Sequence, residues 1–190
     1  MRRLLLAAAL SGLALPAAAE WSLEGDASTL GFVTIKNGDT AESHSFSGLS
    51  GGVDDKGVAE VSIPLSSVET FIDIRNERMR DILFRVADFP AATVTAEIPM
   101  EDLAALGDSE RTTSEVDLTL AANGAEASYF AEVAITRIGP DRVAVSTVRP
   151  MIADARDLGY EDGVDALREI AGLDSISPAV PVTFDLLFTR

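Results

Sequence analysis

Apolar and polar side chains alternate along most of this chain, the period-two pattern of strands with one buried face. Leu30, Phe32 and Thr34 share one face of a run that ends at Lys36, with Val33 and Ile35 on the other. Ala59, Val61, Ile63 and Leu65 lie opposite Glu60 and Ser62. The pattern recurs at Val94, Ala96 and Ile98, at Val116, Leu118 and Leu120, and at Ala127, Tyr129, Ala131, Val133 and Ile135. It returns at Val143, Val145 and Thr147, and again at Val182, Phe184, Leu186 and Phe188. Turn residues separate the runs: Asn37-Gly38-Asp39, Asp54-Asp55-Lys56-Gly57, Asn123-Gly124 and Gly139-Pro140-Asp141. Gly48, Gly51 and Gly52 within one run predict a bulge or sharp bend, as barrel corners need.

Two stretches break the alternation. Residues 67–90 turn helical, with Met79, Ile82, Leu83 and Val86 at spacings of three and four, and the helix is expected to stop at Pro90. Residues 154–172 hold a second helix, with Val164, Leu167 and Ile170 on one side and Gly172 as its C-terminal cap. Residues 99–111 are polar and read as a loop. The sum is eight or nine antiparallel strands with one or two short helices and no βαβ rhythm, an all-β barrel or sandwich. About eight strands can enclose one small ligand. The helix at 67–90, flanked by strands, reads as a plug or lid.

That stretch also carries a resemblance. Val68-Glu69-Thr70, then Arg75-Asn76-Glu77-Arg78-Met79-Arg80, Leu83-Phe84 and Phe89-Pro90, in this order, resemble the signature of the YceI-like family. The likeness runs from Trp21 to Phe188. It implies a lipocalin-like barrel in a secreted bacterial protein that binds polyisoprenoids and related lipids. One departure stands out: many members carry an Arg-Asp-x-His-Leu run where this chain has Asn76-Glu77-Arg78-Met79, so Arg78 replaces the usual His.

Composition narrows the reading. Residues 1–19 have a positive start, an apolar run from Leu4 and Ala17-Ala18-Ala19 at the end, the pattern of a cleaved signal peptide. The apolar run is shorter than the roughly 20 residues a bilayer span needs. Residues 20–190 are expected to form a single domain in the periplasm, with no stable membrane insertion. The chain has 15 basic and 31 acidic residues, a formal charge of −16 that becomes −18 without the two arginines of the leader. Such a surface repels nucleic acid and anionic headgroups. There is no Cys, hence no disulfide, thiolate nucleophile or zinc–thiolate site. His44 is the single His, so a transition metal has few ligands, and it reads as an inert strand residue or a polar group at a barrel mouth. No serine sits in a nucleophile elbow, no glycine-rich loop cradles a phosphate, and the acidic pairs fit solvated turns rather than a calcium loop. No enzyme, cofactor or metal is therefore expected.

Arg75, Arg78 and Arg80 cluster in an otherwise acidic chain. Their plain role is pairing with Glu69, Asp73, Glu77 or Asp81; their functional role is to hold a polar lipid head at a cavity mouth. The candidate ligand-binding residues are Phe32, Phe46, Phe71, Arg75, Arg78, Met79, Leu83, Phe84 and Phe89. The ligand implied is a long apolar lipid, a polyisoprenoid, isoprenoid quinone or acyl chain, held in the barrel by a carrier, store or sequestering protein. A homodimer is compatible with the resemblance, and the rival reading is a non-enzymatic structural or interaction module whose barrel is filled by its own side chains.

Overall fold

The computed structural model describes residues 21–190; the leader expected over residues 1–19 lies outside them. Eleven strands form eight staves. β1 (Trp21–Leu23) and β2 (Thr29–Lys36) make the first, broken by a short 3-10 turn at Gly25–Ala27. β3 (Thr40–Phe46) and β4 (Ser50–Val53) make the second. β5 (Val58–Pro64), β6 (Ala91–Glu97), β7 (Arg111–Ala122) and β8 (Ala125–Arg137) follow. β9 (Arg142–Thr147) and β10 (Met151–Asp154) share the seventh stave, and β11 (Ala179–Thr189) is the eighth. Every pairing is antiparallel between neighbours, and the ring closes because β11 pairs with both halves of the first stave. Phe32 faces Val182 and Ser22 faces Thr189 in that closure. Closure removes the free edges that an open sheet would present.

The turn residues act as the pattern predicts. Asn37 and Asn123 adopt left-handed φ values of 53° and 55°, each followed by a glycine, and give tight hairpins. Gly51 has φ +140°, and a Cβ there would lie 2.0 Å from the Glu60 carbonyl oxygen, so only glycine lets these two staves meet at the bend. Leu30, Phe32 and Thr34, Ala59, Val61 and Ile63, and Val116, Leu118 and Leu120 all point into the barrel.

The helices depart from expectation in three ways. The helix after Ile72 is short: α1 (Asp73–Arg78) passes into one π-helical turn, Met79–Leu83, in which the Phe84 N–H donates to the Met79 carbonyl at 2.8 Å. The chain leaves at Arg85, whose φ of 49° ends the helix before Pro90 can. Residues 99–111 are not all loop, because α2 (Met100–Ala105) places Leu103 in the core behind the apolar spacing of Met100, Leu103 and Leu106. Counting α3 (Glu161–Ala171), the described residues hold three short α-helices rather than one or two. α3 ends as its sequence predicts, on Gly172 in the left-handed conformation.

Candidate functional site

The barrel is hollow. Inward side chains from all eight staves surround a cavity of about 600 Å³, within the size range of small-molecule sites. Its far end is lined by Trp21, Met100, Leu103 and Phe188. Arg137 donates to the Leu103 carbonyl at 3.2 Å and ties α2 to the barrel there. Along one wall the rings of His44, Phe32, Phe46, Phe84 and Tyr160 touch in sequence, with centroids 5.2 to 5.8 Å apart. This ladder joins β2 and β3 to the π turn and to the start of α3. The π turn matters because its extra residue brings both Met79 and Phe84 inward, where they are 5% and 8% exposed.

Among the cavity's lining residues, the exposed ones are Ile72, Ile74 and Ala171, which locates the mouth between α1 and the end of α3. Much of the polar lining gathers at this end too: Thr34, Lys36, Glu42, His44, Arg75 and Arg78. Arg75 donates from Nη1 to Glu42 Oε2 at 2.5 Å and from Nη2 to the Thr70 carbonyl at 2.6 Å. Lys36 holds the same Glu42 oxygen at 2.8 Å. These bonds, Lys36 first, keep the Glu42 carboxyl below the ordinary range despite partial burial. His44 is 3% exposed; its Nε2 shares a 2.8 Å hydrogen bond with the Thr34 hydroxyl, and its Nδ1 has no hydrogen-bond partner among the described residues. Burial, and then the Arg75 cation, push its pKa down, so the ring is neutral near pH 7. Tyr160 also leaves its hydroxyl unpartnered against the cavity, its pKa pushed up to about 12 by burial. Arg78 reaches the cavity with no hydrogen bond or ion pair among the described residues.

A network centred on the buried Thr70 and Asn76 holds the mouth in shape. Asn76 Oδ1 accepts from the Thr70 N–H at 2.8 Å and the Thr70 hydroxyl at 2.6 Å. Asn76 Nδ2 donates to Glu69 Oε1 at 3.0 Å, and that oxygen also accepts the Phe71 N–H at 2.5 Å. Glu69 in turn exchanges both backbone hydrogen bonds with Ser45 of β3, at 3.0 and 2.9 Å. The helical segment is thereby stitched to the barrel wall.

Seven of the nine sequence candidates line the cavity: Phe32, Phe46, Arg75, Arg78, Met79, Leu83 and Phe84. Two do not. Phe71 is 82% exposed with φ +62°, turned outward by the left-handed residue that precedes the helix. Phe89 is carried outside because the chain leaves the helix at Arg85; it lies beneath the Arg85 guanidinium, 4.9 Å away, beside Gly124. Arg80 is absent from the lining, and Arg75 pairs with Glu42 rather than with a nearby acid. Thr34, Lys36 and Glu42 were missed, although the alternation that places Leu30 and Phe32 inward extends to Thr34 and Lys36.

The family model for the YceI-like domain matches residues 21–188 of this chain. The chain belongs to the YceI-like family. Its barrel is similar to the structure of a polyisoprenoid-binding domain from Saccharophagus degradans implicated in plant cell wall breakdown. Identity there is 36% and the TM-score 0.88, over 91% of this chain and 99% of that one. BcnA of Burkholderia cenocepacia shares the fold at 16% identity and a TM-score of 0.65, over 87% of this chain and 98% of its own. A mutant CJ YceI protein made for nanotechnology applications shares it at 15% identity and a TM-score of 0.54, over 77% and 84%. No curated protein sequence matches this YceI-like chain.

Proposed function

We propose that this YceI-like protein is a periplasmic, non-enzymatic carrier or store for a long apolar lipid, an isoprenoid or acyl chain. The observation that carries the proposal is the hollow itself: about 600 Å³ lined mainly by aliphatic and aromatic side chains, opening beside Ile72, Ile74 and Ala171. Each buried methylene contributes roughly 0.8 kcal/mol, so a chain of ten or so carbons binds with few polar contacts. The polar end of the lipid sits at the mouth, where the Arg78 guanidinium, unpaired among the described residues, and the His44 ring supply hydrogen bonds. The similarity to the polyisoprenoid-binding domain from Saccharophagus degradans supports an isoprenoid among the possible chains. The pattern of residues 1–19 supports export, and the acidic surface suits a soluble carrier. A barrel plugged by its own side chains does not match an interior this open.

Mass spectrometry of an organic extract of the purified protein tests the reading. A co-purified lipid near one per chain is the expected result. A protein that carries no lipid, and takes up neither a polyprenyl nor a long acyl probe, would overturn it.

A further inference from the structure

We propose that the apolar rim formed by Phe71, Ile72 and Ile74 docks the cavity mouth onto the headgroup layer of a zwitterionic phospholipid bilayer. Phe71 is the most exposed large hydrophobic residue among those described, at 82%, with Ile72 and Ile74 at 47% and 50%. The exposure of Phe71 is built in. Its φ of +62° is a conformation that bulky L-residues avoid, and it is imposed by neighbours. The Glu69 carboxylate grips the Phe71 N–H at 2.5 Å, and Asn76, 3% exposed, fixes both Glu69 and Thr70. A polar network anchored on the buried Thr70 and Asn76 thus holds an aromatic ring out in solvent at a backbone cost.

Ile72 and Ile74 are exposed and also line the cavity, so apolar side chains reach from the interior to the rim. A partner that delivers or receives an apolar chain there must itself be apolar just below a polar surface, as a bilayer is. Charge selects the kind of bilayer. At −16 overall the chain is repelled by an anionic membrane, whereas a zwitterionic one offers phosphate to Arg78 at the mouth without net repulsion. The choice of a bilayer as partner rests on the lipid-carrier reading, whereas docking itself is read by flotation, which needs no cavity ligand.

The experiment is flotation of the purified protein with phosphatidylcholine vesicles, repeated with Phe71→Gly and Ile74→Glu. The wild type should float with the vesicles, and each variant should lose about tenfold or more in partitioning. Phe71→Gly should keep or raise the melting temperature, because glycine relieves the backbone cost, and should keep uptake of a long-chain fluorescent probe. That outcome separates docking from folding and from cavity binding. The proposal is overturned if the wild type stays unbound, if phosphatidylglycerol vesicles bind it more tightly, or if Phe71→Gly floats as well as the wild type. It is equally overturned if sedimentation shows the rim buried in a dimer that Phe71→Gly dissociates.

Discussion

Arg75 holds the carboxylate of Glu42, 33 residues away in sequence, at 2.5 Å, and so pins the helical segment to β3 at the cavity mouth. Both side chains are partly exposed, so the pair stabilises the fold by no more than about 1 kcal/mol. Its larger effect is electrostatic. Glu42→Gln should leave Lys36 and Arg75 unneutralised and strengthen retention of a fluorescent fatty acid severalfold, read by displacement titration. Unchanged or weaker retention would place the fatty acid head away from this mouth.

Asn76 is the residue on which the mouth depends most. Asn76→Ala strands the buried Thr70 N–H, leaves the Thr70 hydroxyl only its 3.4 Å bond to the Ile72 carbonyl, and releases Glu69. A loss of roughly 2–3 kcal/mol is expected in urea unfolding, from unsatisfied buried groups. Asn76→Asp should also destabilise, because a second carboxylate then faces Glu69 and cannot donate to it. That loss should shrink in acid.

Stability should fall in two steps as pH drops. The folded-state pKa of His44 is depressed, so the unfolded chain binds its proton more readily. The His44 contribution is therefore complete above about pH 6.5, the ordinary His value, and is lost as pH falls below it. Glu42 and Glu69 are also depressed, by their hydrogen bonds to Lys36 and Asn76 in turn, and their contributions persist until pH falls below the ordinary carboxylate range. Urea midpoints across pH for the wild type and for His44→Gln should differ in the upper step alone.

Gly163 of α3 lies against the π turn, where an added Cβ would sit 3.1 Å from Leu83 Cα and 3.3 Å from the Ile82 carbonyl oxygen. Gly163→Val should lever α3 away from the π turn at a cost of about 1–3 kcal/mol. Because both elements bound the cavity, exchange of a bound fluorescent lipid should quicken as well. A stable variant with unchanged exchange would show that this seam does not gate the hollow.

Filling the hollow should separate binding from folding. Ala96 points into the cavity from β6 and is partly exposed there. Ala96→Phe should keep the β-rich circular dichroism spectrum while co-purified lipid falls to a small fraction of the wild-type level. Full retention of lipid would place the ligand elsewhere.

Most of the barrel was legible along the chain. Alternation is a local property, so the inward faces of Ala59-Val61-Ile63 and Val116-Leu118-Leu120 follow from side-chain order alone, as do the Asn37 and Asn123 turns. The cap at Gly172 is local in the same sense. The aromatic candidates on strands, Phe32 and Phe46, shared that clarity. What only the tertiary structure decided depends on contacts between distant segments. Glu42 answers Arg75 because β3 passes under α1, not because the two are near in sequence. Phe71 faces outward and Phe84 inward because a left-handed residue and a π turn reset the helical phase, and neither leaves a periodic trace. Whether the centre is hollow is a matter of volume, set by how all eight staves space their side chains, and no single run of residues encodes it.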